Sequence, residues 1–187
     1  FHLIFNGQIY NHQDLRGKYN LVGTSSSDTE TLLLLYEKLG TAMLDELEGM
    51  FAFSIYDDKS KELLLVRDRA GKKPLFYYND NQQVLFSSEL NALRSQLDLS
   101  VDEEAVQDYI ELGYFYKSAT PYQNIKALES GEFIRFNAKG EQIEKKKWWS
   151  ILVSQFVFFY FIPYFLPYLT KGGSFFSDQY APVNKDA

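Results

Sequence analysis

Cysteine is absent from the 187 residues. No disulfide framework, thiolate metal site or thiol nucleophile can come from these residues. Histidine is scarce as well, with only His2 and His12, and no HExxH pattern occurs, so no metal-ligand set is expected. Positive charge is in deficit: 19 Lys and Arg stand against 25 Asp and Glu, a formal net charge of -6. That balance offers no basic face for phosphates, which excludes general nucleic-acid binding and leaves small molecules or proteins as partners. A secretory leader is not visible either, because the chain opens on the apolar run Phe1-His2-Leu3-Ile4-Phe5 without basic residues or a small-residue cleavage site. The expectation is a chain cut within a strand.

With 45% hydrophobic and 24% charged residues, the composition is that of a globular domain, and the length suits one domain plus an appendage. Leu3 to Phe5 reads as the end of a strand, with Asn6-Gly7 as a turn signal. Ser27-Asp28-Thr29-Glu30 fits a capping box, Ser27 as N-cap and Glu30 three residues on, ahead of an apolar helical run through Leu32 and Leu35 that stops at Gly40. Met50 to Tyr56, Glu62 to Val66, Leu75 to Tyr78 and Gln83 to Phe86 are short strand-like runs joined by polar turns, expected as an antiparallel meander. Helical patterns return at Ser88 to Ser95 and Asp102 to Leu112. Glu132 to Phe136 and Gln142 to Lys146 predict a hairpin around Lys139-Gly140. Helices and strands in separate blocks favour an α+β layered fold.

The character changes at Lys145-Lys146-Lys147-Trp148-Trp149. Ile151 to Leu169 carries no charge and meets the length criterion for a membrane-spanning helix, with lysines and tryptophans at one end. Pro163 and Pro167 weaken that reading. Out-of-frame translation of A/T-rich DNA yields the same residue types and is the favoured reading, so residues 1–149 are expected as the domain and 150–187 as an artefactual or fragmentary tail. A membrane is a partner only if the 151–169 segment is genuine. Lys171-Gly172-Gly173-Ser174 lacks the strand-to-helix context of a phosphate loop.

The most informative string is Phe5-Asn6-Gly7-Gln8-Ile9-Tyr10-Asn11-His12. Alone, Asn-Gly after an apolar strand is most often a tight turn. Its company adds weight: Ser27-Asp28-Thr29-Glu30, Gly49-Met50-Phe51-Ala52-Phe53, Arg67-Asp68-Arg69-Ala70-Gly71-Lys72-Lys73-Pro74-Leu75-Phe76-Tyr77-Tyr78 and Phe86-Ser87-Ser88-Glu89-Leu90-Asn91-Ala92-Leu93 follow in order. This series resembles the class II glutamine amidotransferase domain of the asparagine synthetase family, in which FNGEIYNH, SDTE, GMFAF, RDRxGxKPLYY and SSExxAL occur in the same order. The resemblance covers Leu3 to about Trp149. Ile9-Tyr10-Asn11 favours that branch over amidotransferases that carry HNG followed by other residues.

The resemblance implies a four-layer α/β/β/α sandwich of the N-terminal-nucleophile hydrolase type, incomplete at its N-terminus, and L-glutamine as substrate. In that family an N-terminal cysteine attacks the side-chain amide and donors stabilise the oxyanion. Asn6, through its side-chain amide, and Gly7, through its backbone N–H, match those donors, the missing Gly7 side chain letting substrate approach. Asp28 matches the carboxylate that holds the substrate's α-ammonium, although as a bare feature it is equally a first-turn acid that suits a helix dipole. Gln8 stands where the family has Glu, which weakens one ammonium contact by about 1.5 to 3 kcal/mol if that contact is direct.

Arg67-Asp68-Arg69 is expected to form a structural network rather than an anion site. The family's upstream segment, with the cysteine, the first strands and the arginine for the substrate carboxylate, is not matched by any residue here. Without it an interior strand becomes an exposed edge, and marginal stability with aggregation is expected. The SGGxDS loop of the synthetase half is absent as well, so Mg-ATP belongs only to that further domain, which is the expected protein partner. Two functional readings follow. One is the glutaminase portion of a cytoplasmic glutamine-dependent asparagine synthetase, inactive by itself; the other is a non-catalytic scaffold module anchored by its apolar tail.

Overall fold

The computed structural model describes residues 1–150, so the apolar run from Ile151 and the Lys171 to Ser174 string lie outside the described residues. Two antiparallel sheets organise this part of the chain. The larger holds β1 (His2–Ile9), β2 (Gly49–Asp57), β3 (Glu62–Arg67), β7 (Glu132–Phe136) and β8 (Gln142–Lys147) in the order β1-β2-β3-β7-β8. The smaller holds β4 (Phe76–Asn79), β5 (Val84–Ser87) and β6 (Ile125–Ala127) in the order β5-β4-β6.

The apolar run of β3 does not alternate because the strand is covered on both faces. Leu64 and Val66 join Phe51, Phe53, Ile55 and Phe133 in a core roofed by Leu15 of α1 (His12–Tyr19) and by Leu32 and Leu35 of α2 (Asp28–Leu39). Leu65 points the other way, into a second core with Ala52, Ile134 and Phe136 of the same sheet and Tyr77, Leu75 and Leu128 on the side of the smaller one. Phe51, Phe53 and Phe136 are each 1% exposed, and burying a side chain of that size stabilises by about 2 to 3 kcal/mol. The short α3 (Leu90–Arg94) packs on β4 and β5. The succession of helices, sheet, sheet and helix is the α+β arrangement expected. Outermost, α4 (Glu103–Leu112) buries only Ala105 and leaves Tyr109, Ile110 and Leu112 exposed, its first turn held by Asp102, whose carboxylate accepts from Ala105 N at 3.0 Å.

The strand-like runs are where the pattern puts them, but they do not form one meander. β2 and β3 make a hairpin in the larger sheet, β4 and β5 one in the smaller, and β3 takes β7 as its next neighbour. The cause lies at Arg67-Asp68-Arg69. Asp68, 1% exposed, accepts at its carboxylate from the N–H groups of Phe51 (3.2 Å), Ala70 (2.9 Å), Lys72 (3.1 Å) and Lys73 (3.0 Å). The Arg67 guanidinium donates to the carbonyls of Lys73, Gly71 and Leu128 at 2.9, 2.8 and 2.6 Å. The chain leaving β3 is thereby turned out of its sheet and set on course for β4. The cluster is structural, as expected, yet its partners are backbone groups rather than opposite charges.

Replacing Asp68 by Ala strands these N–H groups around a buried void. The expected loss is at least about 3 kcal/mol of stability, seen as a lower urea midpoint with an unchanged slope.

Candidate functional site

The Asn6-Gly7 pair is not a turn. β1 runs through it to Ile9, pairing Asn6 with Ala52, Gly7 with Phe51 and Gln8 with Met50. The turn chemistry of Asn-Gly is overridden by the ladder, and glycine is needed here for a different reason. Gly7 has φ +153°, and a Cβ on it would lie 2.2 Å from Met50 O and 2.7 Å from Phe51 Cα. Gly49, with φ +158°, has the reciprocal problem with Gln8 O at 2.2 Å. The missing side chain therefore lets two strands close on each other, a reason for glycine separate from substrate access.

The direction of the Gly7 amide follows from its neighbours. Tyr10 N–H donates across the ladder to Glu48 O at 2.7 Å, whereas Ile9 N–H turns outward to Asp28 Oδ2 at 3.1 Å. Phe51, opposite Gly7, directs its N–H to Asp68 Oδ2 and accepts at its carbonyl from Asp68 N–H. Gly7 and Phe51 are thus a non-hydrogen-bonded pair, the position where antiparallel strands approach most closely. Both backbone polar groups of Gly7 face the open edge of β1.

Asn6 lies on the other face from the helices. With Ile4, Ala52, Ser54, Leu75, Phe86, Ser87 and Ser88 it lines a cleft of about 270 Å³ between β1–β2 and the end of β5. Gln8, two residues on, shares the face of Asn6 by strand periodicity and is exposed. Asp28 is brought to this strand from nineteen positions away: Oδ2 accepts from Ile9 N–H, and Oδ1 accepts from Thr29 N–H at 2.8 Å. Asn6, Gly7 and Gln8 thus lie in the second half of β1, and Asp28 reaches the same strand at Ile9 N–H. Oδ1 also accepts from Thr29 Oγ1 at 3.5 Å, whereas Oδ2 has only the Ile9 bond and retains acceptor capacity.

Two fastenings were not anticipated. The Asn11 side chain donates to Glu46 O at 2.9 Å and accepts from Glu48 N–H at 3.1 Å, fixing the exit of β1 against the 3-10 helix Gly40–Glu46. The capping box is half formed. Ser27 Oγ accepts from Glu30 N–H at 3.2 Å, but the Glu30 carboxylate does not return to the cap. It takes the N–H and hydroxyl of Thr24 and of Ser25, and Arg16 Nη2 at 2.9 Å. Arg16 first, then the Ser25 and Thr24 backbone amides, hold this carboxyl far below the usual carboxylate range.

Adding a methyl at Gly7 forces β1 from β2: Gly7→Ala is expected to lose about 3 kcal/mol, measured by thermal or urea unfolding. For Glu30, a depressed folded pKa contributes stability that is fully present above the unfolded value, about 4.3, and is lost as pH falls toward the folded one. Glu30→Gln is therefore less stable than the parent at pH 7, and the gap closes in urea titrations taken progressively below about pH 4.

Residues 1–149 match the family model described as a glutamine amidotransferase domain. The chain is 35% identical over 153 residues to a putative glutamine-hydrolysing asparagine synthetase 2 of Methanocaldococcus jannaschii, covering 80% of this chain and 30% of that protein. It is 36% identical over 143 residues to asparagine synthetase 1 of Bacillus subtilis, covering 74% and 23%. Over 94 residues it is 43% identical to asparagine synthetase B of Escherichia coli, covering 49% and 17%. The chain thus spans less than a third of the length of these relatives. A solved glutamine phosphoribosylpyrophosphate amidotransferase from B. subtilis shares the fold, with a TM-score of 0.54 at 22% identity, covering 80% of this chain and 29% of that one. Family model and fold agree, and the chain belongs to the glutamine amidotransferase domain family.

Proposed function

We propose that residues 1–149 are the glutamine-recognition part of a glutaminase domain that supplies ammonia to an ATP-dependent amidation of aspartate in a longer, cytoplasmic protein. The observation that carries this reading is that one strand, β1, holds an outward-facing Gly7 N–H beside the Asn6 amide and, two residues on at Ile9, the Asp28 carboxylate. In the attack of a nucleophile on a glutamine side-chain amide, charge develops on the carbonyl oxygen. A backbone N–H held by the strand needs no reorganisation and stabilises that oxyanion better than water does, and the neighbouring Asn6 amide supplies a second donor. Asp28 anchors the α-ammonium at the other end of the substrate, and Gln8 adds a neutral acceptor.

The described residues bind and orient; the covalent step belongs to a thiol that this chain does not contain. The chain is accordingly expected to bind L-glutamine without releasing ammonia. The remaining part of the parent protein, which would carry Mg-ATP, is the partner that consumes the ammonia. Among the described residues no helix is long and apolar enough to cross a membrane, and the anchored scaffold reading rests on residues outside them.

Titration of the full chain with L-glutamine is expected to shift the amide resonances of Gly7, Gln8 and Ile9. Asp28→Asn is expected to weaken binding about tenfold and Gln8→Glu to strengthen it by a similar factor. Glutamine that perturbs none of these amides would overturn the proposal.

A further inference from the structure

The Asp28 carboxylate sits in the first turn of α2, and that turn is held by a network reaching into α1. Arg16 donates Nε–H to Thr31 Oγ1 at 2.6 Å and Nη2–H to Glu30 Oε2 at 2.9 Å and to Ser27 O at 3.4 Å. Its side chain is 14% exposed and that of Glu30 23%. On its other flank, Glu30 Oε1 accepts from the N–H and hydroxyl of Thr24, both at 2.8 Å. Oε2 accepts from Ser25 N–H at 2.9 Å and from Ser25 Oγ at 3.1 Å. The loop closes over the carboxylate because Gly23 has no side chain: a Cβ there would lie 2.2 Å from Glu30 Oε2.

The physical point is one of tolerance. Leu32 and Leu35 seat the body of α2 on the core, and Arg16 adds a polar tie from its first turn, at Ser27, Glu30 and Thr31, to the helix that follows directly from β1. Asp28 lies between Ser27 and Glu30, so its reach to Ile9 N–H at 3.1 Å depends on that tie. Binding groups lose most of their selectivity when displaced by about an ångström.

We propose that Arg16 and Glu30 are positioning residues for the Asp28 carboxylate, and that through it they set the preference for ligands bearing an α-ammonium group over otherwise identical ligands without one. The inference rests on the glutamine reading of the site and deepens it. Neither residue touches the ligand. Both act by keeping Asp28 at the edge of β1, with Gly23 as the opening that admits the Glu30 carboxylate to the loop.

The test compares L-glutamine with 4-carbamoylbutanoic acid, which is glutamine without its α-amino group, by calorimetry on the full chain. The wild type is expected to prefer glutamine about tenfold or more. Glu30→Gln and Arg16→Lys, the second keeping the charge but losing the fork of donors, are expected to reduce that preference to about twofold while leaving the affinity for the analogue unchanged. A role confined to folding would weaken both compounds alike, and variants that retain the wild-type preference overturn the proposal. Hydrogen exchange of the Ile9 amide, which reports the Asp28 contact directly, gives a separate readout. Protection there is expected to fall about tenfold in both variants beyond any change in β2 and β3, whose exchange reports the global loss of stability. If the wild type binds neither compound, the glutamine reading fails by itself, and unchanged Ile9 protection in the variants then overturns the positioning role.

Discussion

The buried Asp68 carboxylate is the constraint on which the layered arrangement depends. It ends β3 and satisfies the Phe51 amide on the neighbouring strand and the amides of the loop that departs for the smaller sheet. Its backbone carbonyl also receives Gly131 N–H at 2.8 Å, so the entrance to β7 is set from the same residue. An acceptor-only group with two oxygens is well matched to a corner dense in N–H donors, and a carboxylate can be buried there because each donor offsets part of its desolvation. Arg67 performs the converse task on three carbonyls. Adjacent residues of opposite charge thus satisfy the two kinds of backbone group left over where a chain crosses from one sheet to another.

That corner also orients the site. The Phe51 amide could pair with β1 only if it faced that strand; Asp68 takes it to the opposite side, and Gly7 is left as its non-bonded partner. The outward direction of the Gly7 N–H is therefore decided seventeen residues beyond its partner in the ladder, and the close approach of the strands at Gly7 and Gly49 comes from the same alternation.

Much of the fold was legible because local chemistry and tertiary use agreed. The Ser27 cap and the hairpin of β7 and β8 behave as their residues predict. The apolar run of β3 was legible as a strand, though not its cover on both faces. What was hidden has physical reasons. α1 carries Gly17 and charged residues through HQDLRGKY, has no side-chain cap at Asn11, and gives no apolar period to find. β6 is three residues long, below what alternation can signal. The Asn6-Gly7 pair was misread as a turn because its glycine answers to a neighbouring strand that sequence spacing does not reveal. Glu30 was recognised as a capping residue, but its engagement with Arg16 and the Thr24-Ser25 loop required the helix that had been missed. Asn6, Gly7, Gln8 and Asp28 could be named as candidates only through the family resemblance that the ordered motifs carry, whereas the bond that brings Asp28 to Ile9 could not be read at all.

The outward face of β1 has a further consequence for whatever lies beside it. Leu3, Phe5, Gly7 and Ile9 alternate with the residues bonded to β2, so their polar groups form one row along the edge. Ile9 is already taken by Asp28. A neighbouring strand that extended this ladder fully would consume the Gly7 donor with a carbonyl of its own and leave nothing for a substrate oxygen. On the reading proposed for Gly7, hydrogen-bond completion and substrate recognition compete for the same amide, and pairing along β1 would have to stop at Phe5. A Gly7 amide left out of any ladder is then what the proposed site needs: one backbone bond withheld from the sheet for a small molecule to make.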